Sequence, residues 1–354
     1  MSDPHRVLYV GWTGRGNLGD DAIAEALTPR LSNVEPWHVP TDVAGFARRI
    51  AAGGTVHAGN RALLLGGGTV IGRRNWRMLL RATSTLLARR RPWHLIGAGV
   101  EDPAFQGRNS FSDSGELARW VDTCARFERV TVRGPRSAEL LASVGVAAEI
   151  VGDPALLHEA PPVSARDRLV GVNLGFGDDL WGHDHDRVVG ATADLVRGLV
   201  ADGWSARLLV INQADRRYAE DCLRRAGIPA DRAEIRGTDT VADYLTAAGE
   251  CTVLVAERLH ALVLGAIVGT PLVGLEYQPK CADFLRSIEA TRHNYRTDAV
   301  SAEDLRAAVD DLTARHDTES SRLTGQVEVL RGRLREELGR LRVSLGEVEP
   351  VVTG

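Results

Sequence analysis

Short apolar runs rich in β-branched residues alternate with amphipathic stretches along most of the chain. RVLYVGW (6–12), ALLLGGG (62–68), WHLIGAG (93–99) and VTVRG (130–134) read as buried strands separated by helical patterns. AEIVGDPALL (148–157) adds a strand and an Asp–Pro turn. EAPPVSARDR (159–168) is rich in proline and charge and reads as a linker. Beyond it a second series runs through LVGVNLG (169–175), ARLLVIN (206–212), CTVLVAE (251–257) and PLVGLEY (271–277). Between the last two lies LHALVLGAIVG (259–269), a mostly apolar helix ended by Gly269–Thr270–Pro271. Repeated βα units predict parallel sheets with helices on both faces. The expected architecture is α/β, with two doubly wound domains at residues 1–160 and 161–300. Such sheets hold ligands at the C-terminal ends of their strands, so the two domains should face a cleft.

The remaining segment, 301–354, predicts a helical extension. Ser301 and Asp304 have the spacing of a capping box. Leu323, Val327, Leu330, Leu334, Leu338, Leu341 and Leu345 then form one apolar stripe at spacings of three and four. The stripe has two possible uses, packing back across both domains or joining a second copy into a homo-oligomer. Packing is the commoner use of such a stripe.

Composition narrows the class. In 354 residues, 44% are hydrophobic and 25% charged, as in ordinary globular proteins, and the formal charge of −4 argues against a nucleic-acid binder. Arg73–Arg74, Arg77 and Arg89–Arg90–Arg91 form local basic clusters, read first as solvated helix faces. Cys124, Cys222, Cys251 and Cys281 have no metal-ligand or CxxC spacing, which predicts free thiols in a reducing cytoplasm. No leader pattern and no run of about 18 apolar residues is visible, so no membrane span is expected.

The chemistry-bearing residues sit where strands give way to helices. Gly14, Gly16 and Gly19 formally spell GxGxxG. A dinucleotide fingerprint also needs an acidic residue ending a clean strand about 20 residues on. Here VEPWHVPTD (34–42) is broken by Pro36 and Pro40. The better local reading makes Asp20 an N-cap with Asp21 in the first turn, and turns Asn17 and Asp20 toward the cleft. Asp20 either only caps, or accepts the proton of an attacking hydroxyl. In LLLGGGTVIG (63–72), Gly67 and Gly68 either make a tight turn or let a ligand approach the backbone.

Arg133 ends one strand and Arg136 opens the next helix; one can reach the cleft while the other pairs on the surface. Arg258 and His260 flank a helix start, where unpaired N–H groups favour an anion. They form either an anion pocket, or an ion pair beside a capping histidine. Of 43 cationic Lys and Arg residues, 42 are arginine and one, Lys280, is lysine. A lysine offers a compact point charge where arginine offers a planar fork. Trp76, Trp93, Trp181 and Trp204 are either core residues or sugar-stacking faces. His183–Asp184–His185–Asp186 is the nearest approach to a metal cluster and reads as a loop or helix start.

GNLGDDAI, LLLGGGTVIG, VRGPRSAELLASVGV, VGDPALL and ERLHALVLGAIVGTPLVGLEYQPKCADFL, in this order over residues 7–285, together resemble the polysaccharide pyruvyl transferase family. The resemblance implies a GT-B-like fold and transfer of pyruvate from phosphoenolpyruvate to a sugar-containing acceptor as a ketal. No cofactor or catalytic metal is implied. The acceptor would lie on the N-terminal domain and the donor on the C-terminal one. Arg258, Leu259 and His260 map onto the family's donor motif and Arg133 onto its central arginine, with Lys280 as a further cation. His260 would be the general acid and Asp20 the base, with Asn17, Gly67 and Gly68 on the acceptor side. The family often has Asp–Glu where this chain has Asp20–Asp21, and Arg–Asp where it has Arg133–Gly134. Two other functions fit the same fold: a nucleotide-sugar glycosyltransferase, and a non-catalytic relative that binds a phosphorylated metabolite.

Overall fold

The structure is a computed structural model and describes residues 5–12, 17–31, 34–38, 44–45, 47–48, 60–86, 91–105, 115–175, 181 and 184–347. The N-terminal half contributes β1 (His5–Val10), β2 (Val34–His38), β3 (Asn60–Leu65), β4 (Thr69–Ile71), β5 (Trp93–Leu95), β6 (Gly99–Val100), β7 (Thr131–Val132) and β8 (Glu149–Ile150). Its main sheet is parallel with order β2-β1-β3-β5, and β4 pairs β6 and β7 pairs β8 beside it. The segment read as broken by prolines does form a strand, β2. It lies at the sheet edge, where only one side of the ladder needs donors and Pro36 is tolerated.

The second half contributes β9 (Leu169–Asn173), β10 (Ser205–Val210), β11 (Ala233–Gly237), β12 (Val253–Ala256), β13 (Leu272–Glu276) and β14 (Asn294–Arg296). All six are parallel in the order β11-β10-β9-β12-β13-β14, a doubly wound sheet whose winding reverses between β9 and β12. The edge strands β11 and β14 are short and half-exposed, which is why no apolar run marks them in the sequence. Both halves are thus α/β with parallel sheets, as the pattern predicts.

One hydrophobic core runs through both halves. It joins Val7, Ile23, Leu64 and Leu157 of the first to Ile211, Leu262 and Phe284 of the second. The helix Leu259–Ile267 is buried at every residue and lies at this junction. A helix apolar all round is one buried all round.

The tail closes the same core. Ser301 and Asp304 make the capping box in both directions, at 3.1 and 3.2 Å. Leu323, Val327, Leu330, Leu334, Leu338, Leu341 and Leu345 are buried in the shared core by the long helix His316–Ser344. Arg331 donates to Leu156 O and Arg333 to Ile150 O in the first half, while Arg322 donates to Ile288 O in the second. The apolar stripe that a second copy would need is therefore covered within the chain. The four cysteines are free and buried, and burial pushes each thiol up to about 12. Among the described residues no helix is long and apolar enough to cross a membrane.

Candidate active site

On the N-terminal side, β1 delivers Trp12 to the cleft, and the helix Leu18–Leu27 begins at its floor. Asn17, not Asp20, is the N-cap: its side chain accepts from Gly19 N at 3.3 Å and donates to Asp20 Oδ2 at 2.7 Å. Asparagine caps as well as aspartate, and this leaves Asp20 in the first turn, where the helix dipole favours its charge. Of the GxGxxG positions, Gly14 and Gly16 lie outside the described residues. Gly19 has a different task. A β-carbon there would lie 2.2 Å from His260 Nδ1, so its lack of a side chain lets the two halves meet. Leu18 N also donates to Ile211 O at 3.3 Å across this junction. Gly19→Ala should cost about 1–3 kcal/mol through overpacking and weaken ligand binding; urea midpoints and ligand-dependent melting of the variant measure both.

After β3, Gly68 takes φ +89° and lines the cleft with Thr69. Gly67 is instead packed against Pro154 and Ile23, which an added β-carbon would press upon at 3.0 and 3.1 Å. Arg133 is fully buried; its Nη2 donates to Thr69 Oγ1 at 3.3 Å and its Nη1 lies 3.7 Å from Asp153 Oδ2. Arg136 turns away and pairs with Asp102 at 2.7 Å. The space beside Gly134 is filled from the other half. Asp283 Oδ1 would lie 2.3 Å from a β-carbon at 134, and it accepts from Arg136 N at 2.8 Å. Its Oδ2 accepts from Ser137 Oγ at 2.6 Å.

The C-terminal wall stands at the point where the second sheet reverses its winding. Asn173 ends β9 and accepts from Arg258 N at 3.1 Å. Arg258 follows β12, and its Nε and Nη2 donate to the two oxygens of buried Asp215 at 2.8 and 2.7 Å. Burial, the largest single influence, works against the guanidinium's charge, but the Asp215 bonds together with the charges of Tyr277, Asp215 and Glu257 outweigh it and the pKa is raised. Leu259 and His260 open the next helix. His260 is buried, and its Nε2 lies 3.8 Å from Asp153 Oδ2. Burial lowers the imidazole's pKa; Asp153 and Asp20 pull it upward, while Arg133 and Lys280 push it down. Lys280 sits in the first turn of the helix Pro279–Ser287, its Nζ 4.8 Å from the centroid of the Tyr277 ring.

These groups share one cleft of about 340 Å³. It brings together Asn17, Asp20, Gly68, Arg133, Arg258, Leu259, His260 and Lys280, and leaves out Gly67. Sequence reading missed Trp12, Thr69, Ile211 and Tyr277 on its lining, and Asp153 and Asp215 behind it. Trp12, rather than the four tryptophans singled out, offers the aromatic face. Trp76, Trp93 and Trp204 are core residues, and Trp181 lies under Arg296 at 4.2 Å. Of the basic clusters, Arg73 lines the cleft and pairs with Glu101, whereas Arg77 is buried in a bidentate pair with Glu116 rather than solvated. His183 lies outside the described residues, and Asp184 caps the helix His185–Ala201. No group of three His, Cys, Asp or Glu side chains among the described residues is placed to hold a metal.

Two α/β halves with a cationic cleft at their junction define a GT-B-like protein. The S. aureus MnaA–UDP co-structure superposes with a TM-score of 0.64 at 11% identity, covering 98% of each chain. A putative UDP-N-acetylglucosamine 2-epimerase from Listeria monocytogenes gives 0.64 at 10% identity, again over 98% of each chain. CalG4, the calicheamicin glycosyltransferase, gives 0.54 at 13% identity over 99% of this chain and 100% of its own. These likenesses concern the fold. A search of curated protein sequences returns no match. The polysaccharide pyruvyl transferase family model matches residues 17–279, and the chain belongs to that family of transferases.

Proposed function

We propose that this cleft transfers pyruvate from phosphoenolpyruvate onto two hydroxyls of a sugar-containing acceptor, closing a ketal and releasing phosphate. The observation that carries this reading is the convergence of Arg133, Arg258 and Lys280 with the imidazole of His260 in one cleft. The donor bears a phosphate and a carboxylate, and clustered cations are what such a dianionic head requires. Arg258, held as a fork by Asp215, suits a two-oxygen anion. Lys280 supplies a point charge.

His260 delivers a proton to the methylene carbon, and C2 becomes electrophilic. Asp20, on the opposite wall, accepts the proton of the attacking hydroxyl as its oxygen bonds to C2. The second hydroxyl then displaces phosphate from C2. Of the two hydroxyl protons, one restores His260 and the other leaves with phosphate. Trp12 and Gly68 mark the acceptor side. No cofactor enters this scheme, and the buried free thiols fit a cytoplasmic setting.

Melting with and without millimolar phosphoenolpyruvate tests the donor. A ligand at about a hundredfold its Kd stabilises by about 2.7 kcal/mol, so the melting temperature should rise by several degrees. Stabilisation by UDP and none by phosphoenolpyruvate would move the protein to the nucleotide-sugar reading, which the UDP in the MnaA structure makes the natural competitor. Donor binding without phosphate release across a broad acceptor panel would favour a non-catalytic relative.

A further inference from the structure

VGDPALL places Asp153 at the start of the turn Pro154–Leu157, outside the cleft lining and directly behind two of its residues. One of its oxygens is committed: Oδ1 accepts from Ala155 N at 3.0 Å as a cap. The other is not. Oδ2 is buried without a hydrogen-bond partner, 3.7 Å from Arg133 Nη1 and 3.8 Å from His260 Nε2. Those two nitrogens are themselves buried and unpartnered, so three orphaned polar atoms converge on one point. The separations exceed a hydrogen bond but lie within ion-pair range. A buried carboxylate facing a guanidinium and an imidazole favours the charged form of both.

We propose that Asp153 is a positioning residue that stabilises the imidazolium of His260 and anchors Arg133 beside it, so that the general acid carries its proton when the donor is bound. This rests on the pyruvyl-transfer reading for its purpose, though not for its first test. Asp153 belongs to the first half of the chain and His260 to the second, so the carboxylate reaches its imidazole only across the junction that Gly19 keeps open. The other charged groups facing His260 are Asp20 from the helix Leu18–Leu27, Arg133, and Lys280 from the helix Pro279–Ser287. Asp20 is already bonded to Asn17, and the two cations oppose protonation. Tyr9 beneath the carboxylates stays neutral, because burial and the charges of Asp20 and Asp153 raise its pKa. Asp153 is therefore the group placed to keep the acid charged.

The experiment is Asp153→Asn, which preserves volume and the capping oxygen. Histidine side-chain NMR, with His260 assigned by its loss in His260→Gln, reports the imidazole titration in the free protein and with phosphoenolpyruvate. The His260 pKa should fall by about one unit or more in the variant. In turnover, the alkaline limb of the kcat profile should move to lower pH, so the loss is tenfold or more near pH 8 and shrinks toward pH 6. An unchanged His260 titration overturns the proposal. Because the titration needs neither acceptor nor turnover, it stands even if pyruvyl transfer fails. Should Asp153→Asn not fold, Arg133→Met compared with Arg133→Met/Asp153→Asn reads the same shift without the buried cation.

Discussion

Arg258→Ala is expected to lower kcat/KM for phosphoenolpyruvate at least a thousandfold and to remove the donor-induced rise in melting temperature. The guanidinium is the most firmly held cation of the cleft, with both forks of Asp215 fixing its plane. Loss of one preorganised donor to a developing anion costs about 10²–10³ in rate, and lost donor affinity adds to this. Alanine also strands a carboxylate that is 1% exposed. Leaving a buried acceptor unpaired costs about 1–3 kcal/mol. Stability and function can be separated by the double change Arg258→Met/Asp215→Leu, which replaces the pair with apolar side chains of comparable shape. The pair replaced together should melt close to wild type while remaining inactive, since replacement of a buried ion pair by apolar groups of similar volume is often tolerated. Arg258→Lys should recover little, because an ammonium cannot reproduce the fork. Wild-type kinetics in Arg258→Ala would withdraw the residue from the donor site.

The parts of this site that were legible in the sequence are those written locally. Strand-to-helix junctions place Arg258 and His260, Arg133, Asn17 and Gly68 at C-terminal strand ends, and doubly wound sheets put such ends at a ligand cleft. Their order along the chain also carried the family resemblance. What escaped depends on contacts between distant segments. Asp215 follows β10 and pairs with Arg258, 43 positions later in the chain. Asp153 meets His260 only across the shared core.

Gly134 shows the same limit from the other side. Its missing side chain leaves room for the Asp283 carboxylate, which caps the helix Pro135–Ala142 from the opposite half. Local pattern assigned Asp20 the cap because it precedes a helical run, yet Asn17 captures the free amide first. The long helix posed the converse problem, since its stripe was plain but its partner was not. The partner proves to be the chain's own junction, which ties the tail to the geometry of the cleft.

His260→Gln is expected to lower kcat by about 10²–10⁴, the usual contribution of a positioned general acid, while weakening phosphoenolpyruvate binding far less, by no more than the coupling to the imidazole's proton. That split distinguishes His260 from Arg258, whose loss should act on both. Glutamine keeps a polar group beside Gly19 and Asp153 but has no proton to give. Burial, first, lowers the imidazole's pKa in the free protein, against the upward pull of Asp153 and Asp20. A bound donor places anionic oxygens in the same cleft and raises it. Donor binding should therefore take up a proton in the wild type and not in His260→Gln, which calorimetry in buffers of different ionisation enthalpy measures. The sign follows: with a proton taken up, wild-type affinity rises as pH falls, whereas the variant's depends on pH only through the ligand's own ionisation.

The chemistry offers a second reading of the same residue. In the proposed transfer the methylene carbon gains one proton, so reaction in D₂O should give a ketal methyl carrying one deuterium. A rate-limiting transfer from His260 should also produce a solvent isotope effect on kcat. Full activity in His260→Gln, with the isotope effect unchanged, would show that another group delivers the proton and would return the acid's role to a solvent molecule or to the acceptor side of the cleft.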